Sequence, residues 1–175
     1  MSELLIGCGS RRIKMIHDGN PEFSDLVTLD INSDHDPDYV HDLTQLPLPF
    51  ADESFEEIHA YEVLEHTGAQ GDYRFFFAQF SEFWRLLKPD GKIFATVPSI
   101  KSRWLWGDPS HTRALPKESL IFLIQPRYDA EVGKTPMSDF RNIYKADFDI
   151  VHISEDENTL NFVLQAIKPS RCTRA

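Results

Sequence analysis

The sequence predicts an α/β domain built on a mostly parallel, twisted sheet that ends in a C-terminal antiparallel hairpin. Strand-like and helix-like segments alternate along the chain, which is typical of a parallel sheet with crossover helices. A short apolar run at 4–6 leads directly into Gly7-Cys8-Gly9. Two alternating runs, 147–154 and 161–168, flank a polar turn and indicate the hairpin. Without internal repeats or a linker, residues 1–175 are expected to form one domain.

The individual elements follow from apolar patterns and from the positions of proline and glycine. Parallel strands are predicted at 4–6, 25–31, 39–41, 57–61 and 92–99. The clearest helix is expected at 72–87, where phenylalanines recur at helical spacing before the turn at 89–91. A second helix is expected at 116–124, and the 11–17 stretch can begin another. Residues 125–142 contain two prolines and a glycine, so we expect an irregular segment and hypothesise a lid.

Composition limits the classes of function. The net charge of −10 disfavours nucleic acid as a partner, because phosphate backbones are bound mainly by basic surfaces. Two cysteines without metal-site spacing indicate neither a disulfide framework nor a zinc site. The sequence has no apolar run of about 20 residues and no signal-peptide pattern, so a cytoplasmic protein without a membrane span is expected.

The glycine turn and the acid at the end of the second strand together predict a ligand that contains adenosine. Gly7 and Gly9 let the backbone turn tightly beside a ligand, and Asp30 can accept hydrogen bonds from ribose hydroxyls. Dinucleotide sites usually carry a third glycine, whereas here that position is Arg12. A ligand without a pyrophosphate, such as S-adenosylmethionine, makes no such demand.

Four stretches then resemble the successive motifs of class I S-adenosylmethionine-dependent methyltransferases. They read LLIGCGS, VTLDI, DYVHDLTQLPLPFADESFEEIHAYEVLEH and FWRLLKPDGKIFATVP. The pattern is most similar to short members of the type 11 group and covers positions 3 to 99. The resemblance implies a Rossmann-like class I methyltransferase fold, and S-adenosylmethionine as the cofactor of an enzyme that transfers a methyl group.

The resemblance also implies a cofactor site. Residues 7–9 would line the methionine moiety, Asp30 would hold the ribose, and Ile31 would pack on the adenine. Asp42, with Leu43 beside it, matches the acid that accepts from the adenine amino group. With Glu62, which is discussed in the next paragraph, the cofactor-binding residues that the resemblance implies are Gly7, Cys8, Gly9, Asp30, Ile31, Asp42, Leu43 and Glu62.

One position agrees with the family pattern near the methyl donor and another departs from it. Glu62 starts the loop after the fourth strand, where the family borders the methyl-donor centre. Many members carry an acid two residues before the first glycine, which helps hold the methionine amino group. Here that residue is Leu5, so the ammonium group would need other partners.

Methyl transfer is an in-line displacement, so the protein mainly has to align the acceptor, and a general base helps if the acceptor must lose a proton. Candidate bases are His66 with Glu65 after the fourth strand, and His111 in WLWGDPSHTRALPKESL after the fifth. In that second segment, Trp104 and Trp106 are candidates to floor an acceptor pocket, and Arg113 is a candidate to hold an anionic group.

No metal site is predicted. The run SDHDPDYVHD at 33–42 is rich in aspartate and histidine, but neighbouring residues of a strand point to opposite faces, so a solvated acidic loop is expected.

Function is therefore predicted as methyl transfer to a small-molecule acceptor by a monomer or homodimer, with oxygen, nitrogen and carbon nucleophiles all open. Two alternatives remain. The first is a degenerate methyltransferase fold that serves as a binding or interaction module, a reading motivated by Leu5. The second is a nicotinamide-dependent oxidoreductase that uses Asp30 on the ribose.

Overall fold

A computed structural model describes residues 2–174, which form a seven-stranded sheet with helices packed against it. The strands, in chain order, are β1 (Ser2–Ile6), β2 (Asp25–Asp30), β3 (Tyr39–Val40), β4 (Phe55–Tyr61), β5 (Leu87–Pro98), β6 (Phe148–Glu155) and β7 (Thr159–Ala166). Their order across the sheet is β3-β2-β1-β4-β5-β7-β6. The first five strands run parallel, while β7 pairs antiparallel with both β5 and β6. The predicted fold class, with its antiparallel C-terminal hairpin, is confirmed.

The α-helices are α1 (Tyr73–Leu86), α2 (Trp104–Gly107) and α3 (Gln125–Glu131), and 3₁₀ segments lie at Ser33–His35, Leu64–His66 and Lys117–Leu123. Helix α1 begins where predicted, because the side chain of Asp72 accepts a hydrogen bond from the Phe75 N–H and caps the first turn. Its apolar stripe, which includes Phe77, Phe80 and Phe83, is buried in the main hydrophobic core. No helix within residues 2–174 is long and apolar enough to cross a bilayer.

The fifth strand is longer than expected. It begins at Leu87, directly after α1, and not at Lys92. The turn predicted at 89–91 lies inside β5 as an irregularity, where the pairing with β4 steps from Phe55–Leu87 to Glu57–Lys92. Asp90 there has a φ of 64°, in the left-handed region.

The 11–17 stretch is not helical, contrary to the expectation. Its Lys14 is buried and forms ion pairs with Glu3 of β1 and Glu57 of β4, at 3.1 and 2.7 Å. The backbone at Ile16 exchanges hydrogen bonds with the Tyr61 hydroxyl at the end of β4. These long-range contacts hold the segment in a non-helical conformation and override its local helical preference.

The segment predicted to be irregular, 125–142, begins with helix α3. The Gln125 N–H donates to the buried carboxylate of Asp147, and its side-chain amide donates to the Ala146 carbonyl. Tyr128 is fully buried and donates its hydroxyl hydrogen to the Phe122 carbonyl. The first third of the hypothetical lid is therefore packed into the fold, and the prediction of an irregular segment is wrong for 125–131.

The buried cluster around Lys14 predicts acid sensitivity. Hydrogen bonding from His59, followed by that from Lys14, lowers the pKa of Glu57 to about 2. Because the folded pKa lies below the unfolded value, the stabilisation is complete above about pH 5 and is lost towards about pH 2, with an upper limit of roughly 3 kcal/mol. We expect urea unfolding curves of Glu57→Gln to lack this component, whereas the matched surface variant Glu56→Gln keeps it. Parallel pH profiles for Glu57→Gln and the wild-type protein would contradict this account.

Candidate active site

The carboxyl ends of β1, β2, β4 and β5 meet at one edge of the sheet, where two cavities adjoin. The first, of about 440 Å³, is lined by Gly7, Asp30, Ile31, Asn32, His35, His41, Asp42, Leu43, Thr44, Glu62, Val63, His66 and Thr67. The second, of about 480 Å³, is lined by Glu62, Glu65, His66, Pro98, Ser102, Trp104, Asp108, His111, Asn158 and Thr159. We call them the first and second cavity. Glu62 and His66 belong to both, so they form the wall between the two.

Gly7 lies where β1 passes closest to the loop after β4. Its φ is +58°, and a Cβ atom placed on it would lie 2.8 Å from Val63 Cβ and closer still to a methyl group of that side chain. Only glycine fits both the conformation and the space. Gly9 also has a positive φ, of +51°, but a Cβ there would meet nothing within 4 Å.

Asp30 ties the glycine turn to the end of β2. Its Oδ2 accepts a hydrogen bond from the Gly9 N–H at 2.8 Å, and its Oδ1 accepts one from the Asn32 N–H at 2.9 Å. The carboxylate thus fixes the turn and still lines the first cavity with unused lone pairs. Cys8 is buried behind the turn, where burial raises the pKa of its thiol, and its side chain does not line the cavity.

The outer part of the first cavity carries the other predicted residues. Ile31 lines the cavity and is 66 % exposed. Leu43 is buried beneath it, and Asp42 Oδ1 accepts hydrogen bonds from the N–H and the hydroxyl of Thr44. Sequence analysis did not assign His35 or His41 to this cavity, because both lie in the loop interpreted as solvated.

Glu62 holds the wall between the cavities in a constrained conformation. Its φ is +49°, rare for a residue with a side chain, and its N–H donates to the carbonyl and the hydroxyl oxygens of Thr96. Burial raises the pKa of its carboxyl group, against the opposing hydrogen bond with Thr96. Backbone strain of this kind is concentrated at functional sites.

His66 and His111 pack against each other beside Glu65. Their ring centres are 4.7 Å apart. His111 Nδ1 lies 3.0 Å from the Leu105 carbonyl oxygen, and His66 Nδ1 lies 3.3 Å from that of Ser110. A carbonyl only accepts, so each Nδ1 carries the hydrogen and each Nε2 has a free lone pair when the ring is neutral. His111 therefore presents a potential proton acceptor to the second cavity.

Glu65 is the most perturbed group of this cluster. Its side chain is 1 % exposed, and burial raises its pKa to about 8. Neither of its carboxylate oxygens has a hydrogen-bond partner within the described chain. Both imidazole Nε2 atoms face Oε1, at 3.8 Å for His66 and 3.9 Å for His111.

The structure separates the three residues predicted to bind the acceptor. Trp104 lines the second cavity and is 60 % exposed, whereas Trp106 lies outside it. Arg113 is 4 % exposed and does not reach this cavity. Its guanidinium donates to the Leu64 carbonyl, the Thr67 hydroxyl and the Gln79 side-chain oxygen, at 2.5 to 3.0 Å. Arg113 therefore braces the loop after β4 against α1, and it is not placed to hold an anion in this cavity as the sequence led us to expect.

Arg113→Lys should lower the free energy of unfolding by about 2–4 kcal/mol, because an ammonium group cannot reach all three acceptors and leaves buried oxygens unpaired. Urea unfolding measures this. Arg74→Lys, on the exposed side of α1, is the matched control and should stay within about 0.5 kcal/mol of the wild-type protein. Unchanged stability of Arg113→Lys would refute the bracing role.

Several residues of the second cavity were not predicted from the sequence. Asn158 and Thr159 come from the turn between β6 and β7, and Ser102 and Asp108 flank α2. Nothing in their local sequence signals the site. They reach it because β7 inserts beside β5, so that the hairpin turn lies at the same edge as the strand ends.

Comparisons with known proteins agree with this geometry. Residues 4–95, more than half of the chain, match the family model described as a methyltransferase domain, of type 11. No curated protein matches the chain.

Solved structures support the fold. An S-adenosylmethionine-dependent methyltransferase from Archaeoglobus fulgidus superposes with a TM-score of 0.59 at 15 % identity, over 94 % of this chain and 85 % of its own. One from Methanosarcina mazei has a TM-score of 0.55 at 15 % identity, over 95 % and 92 % of the two chains. The N-methyltransferase NodS from Bradyrhizobium japonicum, in complex with S-adenosylhomocysteine, has a TM-score of 0.54 at 15 % identity, over 94 % and 77 %. With its matched family model and this fold, the chain belongs to the methyltransferase-domain family of S-adenosylmethionine-dependent enzymes.

Proposed function

We propose that this chain transfers the methyl group of S-adenosylmethionine to a small-molecule acceptor held in the second cavity. The observation that carries the proposal is that the two cavities adjoin at Glu62 and His66. A donor in the first cavity and an acceptor in the second would face each other across one wall. In-line transfer needs such an alignment, and orientation alone can lower the barrier by several kcal/mol.

The described residues fit the cofactor. S-adenosylmethionine supplies a methyl carbon activated by an adjacent sulfonium. Gly7, the one residue of the turn at 7–9 that lines the cavity, leaves room for the methionine end. Asp30 uses its remaining lone pairs on the ribose hydroxyls, and the exposed Ile31 is covered by the adenine, with Leu43 below. Asp42, whose hydrogen bonds to Thr44 engage Oδ1, offers Oδ2 to the adenine amino group.

The second cavity favours an acceptor with a hydroxyl or amine nucleophile. His111 Nε2 is placed to take the acceptor's proton, with His66 beside it at the wall between the cavities. Asp108 brings an ionised carboxylate to the cavity, because hydrogen bonds from Ser110 lower its pKa, and no lysine or arginine is among the lining residues. An anionic acceptor is therefore disfavoured, which reverses the preference drawn from the sequence.

The acidic net charge of −10 supports a small-molecule acceptor over nucleic acid. We also propose that the protein is cytoplasmic and that it is a monomer or a homodimer. Size-exclusion chromatography with light scattering measures the oligomeric state.

The test is a screen for acceptor-dependent production of S-adenosylhomocysteine. The wild-type protein is incubated with S-adenosylmethionine and pools of small alcohols, phenols and amines, and the product is quantified by mass spectrometry. We expect turnover above the acceptor-free blank in at least one pool, and none with Asp30→Ala. If the protein binds the cofactor but shows no turnover with any pool, the proposal of a small alcohol, phenol or amine acceptor fails.

A binding module on the same fold is the second candidate, and one observation favours it. Leu5, in the position where many relatives have an acid, is buried in the sheet and offers nothing to the methionine ammonium. On this alternative the chain binds the cofactor weakly or not at all, and the screen stays at the blank. The family match leaves the nicotinamide-dependent alternative without support.

A further inference from the structure

Glu65, His66 and His111 form a cluster of metal-ligand type at the base of the second cavity. One ligand atom from each lies within 4.8 Å of the others, and the Nε2 atoms of both histidines lie near Glu65 Oε1. Around a tetrahedral zinc ion, with bonds of about 2.1 Å, ligand atoms are about 3.4 Å apart. The measured Nε2 to Oε1 separations of 3.8 and 3.9 Å require only small side-chain movements to close around an ion.

The two imidazoles are already oriented as metal ligands usually are. In each ring the Nδ1–H faces a backbone carbonyl, that of Leu105 for His111 and that of Ser110 for His66. A second hydrogen bond of this kind fixes the tautomer and aims the Nε2 lone pair at the metal. Here both Nε2 atoms lie within 3.9 Å of the same carboxylate oxygen, Glu65 Oε1.

The buried side chain of Glu65 is a second indication that a cation binds here. Its side chain is 1 % exposed, and both of its oxygens lack a hydrogen-bond partner in the described chain. A buried carboxyl group without partners costs free energy unless a cation or donor satisfies it. The other buried cluster with two acids and a histidine, Glu3, Glu57 and His59, already contains its cation, because Lys14 Nζ lies 2.7 Å from Glu57. Within residues 2–174, no lysine or arginine forms an ion pair with Glu65, and Arg113 acts on its carboxyl group only at longer range.

We propose that Glu65, His66 and His111 bind a divalent transition-metal cation, Zn²⁺ by the chemistry of its ligands, at the base of the second cavity. Two imidazole nitrogens and one carboxylate favour such an ion over Mg²⁺, which prefers oxygen ligands. Asp108 is available as a fourth ligand, since its Oδ2 lies 3.9 Å from His111 Nε2. The sequence alone predicted no metal site.

The role of the ion rests on the proposed function, whereas its binding does not. An acceptor hydroxyl bound to the ion loses its proton to water more readily, because the cation lowers its pKa. With the ion bound, His66 and His111 are metal ligands, and the ion, instead of a free imidazole, promotes the loss of the acceptor's proton.

Metal binding is measured without cofactor or acceptor, so its failure is distinguishable from a failure of methyl transfer. Tag-free protein is stripped with a chelator, dialysed and titrated with Zn²⁺ by calorimetry and with Co²⁺ by visible absorption. We expect one equivalent to bind, and Co²⁺ to show the ligand-field bands of a protein-bound ion. His66→Ala, His111→Ala and Glu65→Gln should each weaken Zn²⁺ binding by at least about 10-fold, the lower end of the effect seen when even an outer-shell partner is lost.

His152→Ala, which removes an exposed histidine on β6, is the matched control and should bind Zn²⁺ like the wild-type protein. If His111→Ala fails to fold by circular dichroism, His66→Asn replaces it, because the His66 side chain is 35 % exposed. Absence of Zn²⁺ binding by the wild-type protein would overturn the proposal. So would binding that is unchanged in the folded cluster variants, or binding of Mg²⁺ in preference to Zn²⁺.

Discussion

Gly7→Ala is expected to abolish binding of S-adenosylhomocysteine, whereas Gly9→Ala should weaken it only modestly. Both glycines have a positive φ, which costs another residue about 1–2 kcal/mol. The difference lies in their surroundings. A Cβ atom at Gly7 would overlap the Val63 side chain, and Val63 is held between Glu62 and the 3₁₀ turn at Leu64–His66. Since this loop forms the wall between the cavities, relief of the overlap must move the wall.

Calorimetry with S-adenosylhomocysteine, together with urea unfolding, measures this pair of variants. Gly7→Ala should also lose more stability than Gly9→Ala, since overpacking of a core typically adds about 1–3 kcal/mol to the backbone strain. A result in which the two variants behave alike would mean that only the φ angle matters. The close approach of β1 to the loop after β4 would then have no role in the site.

His111→Ala is expected to reduce turnover by about 10²–10⁴-fold, the usual contribution of general acid–base catalysis, because it removes either the base itself or a ligand of the ion that replaces it. Affinity for the cofactor should change little, because His111 lines the second cavity and not the first. His66 lines both cavities, so His66→Ala should affect cofactor affinity and turnover together.

Steady-state kinetics on an acceptor found in the screen, paired with calorimetry, separates these effects, and His152→Ala serves as the matched control. If His111→Ala weakens cofactor binding while kcat is preserved, His111 belongs to the cofactor site and the division between the cavities is wrong.

Six of the eight residues predicted to bind the cofactor line the first cavity, whereas Cys8 and Gly9 do not. Gly7, Asp30 and Glu62 come directly after β1, at the end of β2 and after β4, and the carboxyl ends of parallel strands meet at one edge. Their local sequence therefore predicts that they lie close together. The apolar pattern likewise predicted the five parallel strands along the chain and the hairpin that follows, but not their order across the sheet.

The place of Arg113, the path of the 11–17 stretch and the cluster at Glu65 depend on long-range contacts that local sequence does not encode. Arg113 reads as a free cation, but its partners Leu64 and Gln79 lie 49 and 34 residues away, and only the tertiary fold brings them together. The local sequence of the 11–17 stretch favours the start of a helix, but Lys14 forms ion pairs with buried acids on two strands, and these keep the stretch non-helical. Glu65 and His66 stand next to each other in the sequence, but their relation to His111 appears only when the loops after β4 and β5 pack.

Titration of S-adenosylhomocysteine into the wild-type protein and Asp30→Ala tests whether the first cavity binds the cofactor, because Asp30 both fixes the glycine turn and lines this cavity. We expect binding by the wild-type protein and a loss of at least about 10-fold in the variant, since hydrogen bonds to a charged group contribute about 1.5–3 kcal/mol each. Asp34→Ala, in the exposed 3₁₀ turn nearby, should bind normally. Absence of binding by the wild-type protein, or equal binding by Asp30→Ala, would contradict the assignment of the first cavity to the cofactor.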